Sequence, residues 1–342
     1  VMDTIVAGVD PHLDTLAIAV VAPTGEPIGS VTVPNTRDGF DQAHRYGAGL
    51  QVGTWVIEGS GSYGRAFTRF LTTAGYQVCE APTRITGGWR RIDGWDKTDP
   101  GDARAIARAG ALNTLPVVAR TTVSEQLRVL VGHREALVGE QTRTLLRIRA
   151  RLGELDPELA AATRWINSTK ALTRLGRIQR PATAYTSTVA AMIRHDAATS
   201  RKRLAQIRAL TRTIADTLPT AGHALTTHDG IGPIGAAKII SAVGDVTRFP
   251  TDAHFANYCA AAPLEVSSGR IKRHRLNRRG NRQLNRVLDT AIKTQLSHGG
   301  DAVAYITKKR TEGKTTKEAI RACKRHLARR IYKTLKQHTN LT

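Results

Sequence analysis

The sequence predicts an α/β domain with a mixed sheet at its N-terminal end, a middle region of long helices, and an all-α C-terminal domain. Three observations carry this prediction. Short β-rich runs alternate with helical stretches as far as about Ala111. Between Val123 and Leu218 the β signal vanishes, and apolar residues recur at spacings of three and four. From His223 onward the chain reads as helical and strongly basic. The corresponding domains are 1–120, 121–220 and 221–342.

The elements follow in order. Thr4–Val9, Thr15–Val21 and Ile28–Val33 are apolar or β-branched runs separated by Asp-Pro-His and Pro-Thr-Gly-Glu-Pro, which predicts a three-strand meander. A helix is predicted near Arg37–Leu50, a buried strand at Thr54–Ile57 and a helix at Tyr63–Ala74. A short strand at Gln77–Glu80 and a helix at Asp102–Leu112 complete the order β-β-β-α-β-α-β-α, a central mixed sheet with helices packed on it. Leu127, Leu130, Val131, Leu145, Ile148 and Leu152 mark a long amphipathic helix. A second runs from about Thr188 to Leu218, after a polar connector containing Pro181. Two such helices make an antiparallel pair or an oligomeric coiled coil.

Charge narrows the function. Of 342 residues, 51 are Lys or Arg and 28 are Asp or Glu, a net of +23. Residues 270–342 alone carry 17 of that net charge. Such a field favours a polyanion, and nucleic acid is the commonest. It fits a small neutral substrate such as a sugar poorly. Cys79, Cys259 and Cys323 are widely scattered and lack metal-site spacing, which suits a reducing compartment. The opening Val-Met-Asp-Thr-Ile has no signal-peptide pattern, and no apolar run approaches the ~20 residues that span a bilayer. The expectation is a soluble cytoplasmic protein with no membrane partner.

Four acids stand at positions that chemistry can use. Asp10 ends the first apolar strand, and Glu58 ends the central one, just before Gly59-Ser60-Gly61-Ser62. An acid directly after a buried strand projects from the end of the sheet. Asp99 and Asp102 lie in Thr98-Asp99-Pro100-Gly101-Asp102, with Asp99 expected as a helix N-cap and Pro100 as the first helical residue. Residues three apart share a helix face, so both carboxylates can converge on one point. Adjacent carboxylates repel unless a cation lies between them. Oxygen-rich clusters suit Mg²⁺ or Mn²⁺, and such ions serve phosphoryl transfer. Three of the acids also have a plain structural alternative: a cap for Asp99, the helix dipole for Asp102, a turn before Pro11 for Asp10. Glu58 is harder to dismiss, because a solvated glutamate rarely closes so apolar a run.

Two C-terminal segments add to this. His228-Asp229-Gly230-Ile231-Gly232-Pro233 reads as a helix-hairpin-helix-like turn. There Gly230 and Gly232 would let backbone N–H groups approach a phosphate, with Lys238 nearby. Further on, Ser267-Ser268-Gly269 is followed by Arg270, Lys272, Arg273, Arg275, Arg278, Arg279 and Arg282, candidate nucleic-acid contacts. By itself a Ser-Gly pair marks only a loop.

Gly8-Val9-Asp10-Pro11-His12, Ile57-Glu58-Gly59-Ser60-Gly61 and Lys97-Thr98-Asp99-Pro100-Gly101-Asp102-Ala103 resemble the three signatures of DEDD insertion-sequence transposases. The block from Phe255 to Arg282 resembles the C-terminal domain of the same family. One departure is Leu13, where the family pattern leads to a lysine. The resemblance implies an N-terminal RuvC-like domain of the RNase H fold, with Asp10, Glu58, Asp99 and Asp102 as metal-binding acids. It implies that Ser268 attacks the DNA phosphate to give a covalent 5′-phosphoserine, with Ser267 as the adjacent alternative. It further implies donor and target DNA as substrates, a bridge RNA as guide, dimers joining into a tetramer, and a nucleoid-associated bacterial enzyme. Two alternatives remain. A hydrolytic RuvC-like or DEDD nuclease would need the acids but not the serine, and a non-catalytic nucleic-acid-binding protein would need neither.

Overall fold

The computed structural model describes residues 4–92, 98–118, 120–163, 165–179, 183–222, 224–262, 264–268, 271–275 and 280–339. It divides into two compact units, Val1–Ala119 and Arg120–Thr342.

In the first unit, β1 (Ile5–Pro11), β2 (Thr15–Val21) and β3 (Pro27–Pro34) form the expected antiparallel meander. After α1 (Arg37–Gly49), β4 (Val52–Ile57) pairs parallel with β1. Then α2 (Arg65–Thr73) leads to β5 (Gln77–Glu80), parallel to β4. The resulting order is β3-β2-β1-β4-β5, a mixed sheet. Two more helices follow, α3 (Thr83–Ile92) and α4 (Asp99–Leu112). The alternation of strand side chains divides the core in two. Val9, Ile18, Trp55 and Ile57 pack with Phe40, Phe67 and Leu71 of α1 and α2. Val6, Val21, Val56 and Cys79 pack with Ile106, Ala107 and Ala111 of α4. Burial on both faces is why β1, β2 and β4 read as nearly continuous apolar runs.

The α4 face is unusually close. A Cβ placed on Gly8 of β1 would lie 2.1 Å from the Ala107 nitrogen and 2.4 Å from the Ala103 oxygen. Glycine at position 8 and alanines along α4 therefore let helix backbone rest on strand backbone. Gly8→Ala is expected to destabilise the first unit by about 1–3 kcal/mol or more, the usual scale of overpacking a core. Urea unfolding would show it as a lowered midpoint; an unchanged midpoint would contradict the close contact.

In the second unit, α5 (Thr122–Leu155) and α8 (Ala184–Thr217) are each 34 residues long. Arg134 Nε donates to Thr211 Oγ1 at 2.9 Å, Arg203 Nε lies 3.3 Å from Glu140 Oε2, and Arg151 Nη1 lies 2.6 Å from Asp196 Oδ2. As one helix ascends the other descends, so the pair is antiparallel within the chain. Two short helices, α6 (Pro157–Ala162) and α7 (Thr169–Leu175), connect them. The remaining helices are α9 (Pro233–Val243), α10 (Asp252–Tyr258), α11 (Arg282–His298), α12 (Asp301–Thr311) and α13 (Thr316–Thr339). Leu127 and Val131 of α5 and Ile214 of α8 share one core with Ile240, Phe255, Leu288 and Ile331. One end of the long-helix pair thus shares a core with the basic end, while Ile148, Leu152, Val189 and Ile193 form a second core with Leu172 and Leu175 of α7.

One expectation needs correction. The C-terminal region is not all-α: β6 (Leu264–Ser268) and β7 (Ile271–Arg275) pair antiparallel. The sequence hid this because Ile271 is the only apolar residue of β7, set among Lys272, Arg273, His274 and Arg275, so no period-two pattern survives.

Candidate active site

The sheet topology brings the expected acids to one place. Parallel pairing sets Val9 of β1 beside Ile57 of β4, so Asp10 and Glu58 emerge side by side from the same sheet end. The Glu58 N–H donates to the Val9 carbonyl at 3.3 Å, continuing the ladder. Thr86 of α3, itself buried, donates its hydroxyl to Glu58 Oε2 at 2.9 Å and fixes that carboxylate.

Asp99 and Asp102 occupy the first turn of α4. Asp99 is not the cap that the sequence suggested. Thr98 has the extended backbone of a cap, and its hydroxyl accepts from the Gly101 N–H. Asp99 therefore begins the helix, with Pro100 behind it, and its carboxylate turns to the strand end instead of to its own backbone. His12 Nε2 lies 3.3 Å from Asp10 Oδ2 and 3.4 Å from Asp99 Oδ1. Ligand atoms of Asp10, His12 and Asp99 all lie within 4.8 Å of one another, a grouping that could hold a metal ion. His12 belongs to the Gly8–His12 motif, where the sequence alone assigns it no role. The available signal was its two-residue spacing from Asp10, which returns a strand side chain to the same face.

Burial pushes the Asp10 carboxyl above its ordinary value of 3.8; His12 opposes this, while Asp102, Glu58 and Asp99 add to it. All three neighbouring carboxylates thus act on Asp10. Between 3.8 and the raised value the folded state holds the extra proton, so metal-free stability falls as pH rises through that window. Once ionised, Asp10 is a burden that a cation would relieve. In EDTA at pH 7, Asp10→Asn is expected to melt no lower than the parent. Adding Mg²⁺ or Mn²⁺ should raise the melting temperature of the parent alone. Equal metal shifts in both proteins would contradict this.

The second unit holds the other candidates. Ser268 ends β6 opposite Ile271, and Ser267 pairs with Lys272. The side chains of Ser267, Ser268, Lys272, Arg273 and Arg275 lie outside the described residues, as do Arg270, Arg278 and Arg279 entirely. Arg282 opens α11 and is exposed. Gly230 has φ +78°, and a Cβ there would meet the Ala291 oxygen at 2.5 Å, so it is required both by its backbone and by α11. Gly232 caps α9 with open space around it. Lys238, expected beside a phosphate, instead makes a 3.0 Å ion pair with Glu135 and ties α9 to α5.

Comparison with known proteins decides the family. Residues 7–157 match the transposase family DEDD_Tnp_IS110, and residues 222–307 match the Transposase IS116/IS110/IS902 family. The chain belongs to the DEDD insertion-sequence transposases. This transposase is 27% identical to the insertion element IS110 43.6 kDa protein of Streptomyces coelicolor, over 88% of its own length and 86% of the relative's. It is 24% identical to the insertion element IS116 44.8 kDa protein of Streptomyces clavuligerus, over 78% of each chain. A solved structure of T. thermophilus RuvC with a Holliday junction substrate matches 34% of the transposase and 99% of its own chain, at 16% identity and a TM-score of 0.28. Among the described residues, no helix of the transposase is long and apolar enough to cross a membrane.

Proposed function

We propose that this transposase cuts and rejoins DNA at the ends of its insertion sequence by metal-dependent strand transfer through a phosphoserine on Ser268. The observation that carries the reading is the gathering of Asp10, His12 and Asp99 within reach of one ion, at the sheet end where Glu58 also emerges and with Asp102 in the same helical turn as Asp99. Carboxylate oxygens are the donors that Mg²⁺ and Mn²⁺ prefer. The raised Asp10 pKa fits a carboxylate whose charge a bound cation would stabilise. The four acids would hold the metal, together with His12. When bound, the metal would stabilise negative charge building on the phosphate and lower the pKa of a coordinated hydroxyl.

The serine chemistry balances without an energy source. The Ser268 Oγ attacks phosphorus, the bond to the 3′ oxygen breaks, and a 3′-hydroxyl leaves while the 5′ phosphate stays on serine. A 3′-hydroxyl of the other DNA then attacks, and serine leaves with its proton restored. One ester breaks for each that forms. Family membership and a net charge of +23 support donor and target DNA as substrates and an RNA guide. The reading extends to a RuvC-like, RNase H-type first unit and to dimers joining into a tetramer on nucleoid DNA.

The experiment is a divalent-ion titration with donor and target duplexes and the element's flanking RNA. Strand cleavage is expected to be absent in EDTA and to rise with Mg²⁺ or Mn²⁺. Cleavage indifferent to divalent ions would remove the cluster from the mechanism.

A further inference from the structure

Where α6 and α7 join the two long helices, the second unit carries an open cavity of about 1250 Å³. This exceeds the roughly 300–1,000 Å³ of an ordinary small-molecule site, so an extended ligand matches it better. Trp165 lines it and is 79% exposed. A tryptophan ordinarily hides most of its ring, and its display here puts a broad π-face in solvent beside the cavity. Lys170, Arg174 and Arg177 line the same cavity and are exposed. Among the described residues none of these three side chains has an ion-pair or hydrogen-bond partner. Among the described residues, no acidic side chain lines the cavity.

From this we infer that the groove binds a single-stranded segment of nucleic acid, an unpaired base stacking on Trp165 and its flanking phosphates meeting Lys170, Arg174 and Arg177. An aromatic platform within a ring of uncompensated cations is how sequence-tolerant single-strand binding works. A duplex conceals its base faces and would leave Trp165 without a partner. A protein partner would have to bring its own acids to neutralise three cations. The inference rests on the reading of the chain as a nucleic-acid enzyme, but it concerns binding and requires no chemistry.

The test uses the full-length Asp10→Asn protein with unlabelled oligonucleotides of about eight nucleotides, a length within the usual single-strand site. Single-stranded RNA, single-stranded DNA and the corresponding duplex form the three arms. One or both single strands should bind more tightly than the duplex and quench tryptophan fluorescence, and the arm that does so identifies the strand. The quenched component should be missing in Trp165→Phe, which nonetheless retains most of the affinity. Trp165→Ala should weaken binding about tenfold or more. Arg174→Gln with Arg177→Gln should weaken it and flatten its salt dependence. Because Trp165 is exposed, these variants should melt like the parent.

Parental affinity in Trp165→Ala would overturn the inference. So would variants that lose only concentration-dependent self-association, which would assign the groove to a second copy of the chain. Cleavage by the otherwise wild-type protein is scored separately. Groove binding in a chain that never cleaves DNA would defeat the catalytic reading alone, and cleavage without groove binding would defeat this inference alone.

Discussion

Ser268→Ala is expected to abolish strand transfer, by about 10⁴-fold or more, while leaving binding of DNA in place. Removing the nucleophile from a covalent mechanism has effects on that scale, because the remaining groups cannot replace the bond it forms. The serine lies at the end of β6, where the register pairs it with Ile271. In the proposed mechanism the basic sequence from Arg270 to Arg282 would supply the charge that holds a phosphate. Ser267 is the control. It occupies the preceding position of the same strand, paired with Lys272, and Ser267→Ala should retain most of the activity. Strand exchange kinetics with donor and target duplexes check both variants. A Ser268→Ala protein that cuts at the parental rate would turn the account toward a hydrolytic nuclease.

The second large effect is at the cluster. Asp10→Asn should lower cleavage by about a thousandfold or more, since a bound metal contributes several kcal/mol to phosphoryl transfer and each ~1.4 kcal/mol is tenfold. Asp10 is the most sensitive position for a structural reason. It is the acid on the strand itself, half-buried, and it experiences the fields of Glu58, Asp99 and Asp102 together. Asp99→Asn should cost less, because Asp99 is largely exposed at the start of α4. Cleavage rates across a Mn²⁺ titration distinguish weakened metal binding, which excess ion recovers, from loss of chemistry, which it does not. Parental rates in Asp10→Asn would dissolve the cluster as a catalytic centre.

The sequence foretold the first unit well because its signals were local and strong. Continuous apolar strands ending in Asp10 and Glu58 needed only the parallel register to become neighbours. The helix bearing Asp99 and Asp102 announced itself by Thr-Asp-Pro-Gly-Asp, and only the cap was displaced by one residue, to Thr98. Ser/Thr and Asp compete as caps at similar strength, so composition alone could not choose between Thr98 and Asp99. His12 escaped assignment because its meaning lies in a long-range contact with Asp99, which strand spacing does not reveal. The ion pair of Lys238 was hidden for the same reason: its partner Glu135 lies on another helix, about a hundred residues earlier in the chain. The β6–β7 hairpin was hidden by the basic side chains that the proposed function requires of it. Gly230 shows the converse. Its glycine was legible as a turn, yet the tight approach of Ala291 gives it a structural purpose apart from any phosphate.

The account stands most directly on a covalent intermediate. Protein, Mg²⁺, the element's flanking RNA and labelled donor and target duplexes would be combined, denatured and run on a gel. The account predicts a protease-sensitive protein–DNA adduct that maps to phosphorylated Ser268 and disappears in EDTA, in Ser268→Ala and in Asp10→Asn. Metal-dependent cleavage with no adduct, unchanged by Ser268→Ala, would contradict it.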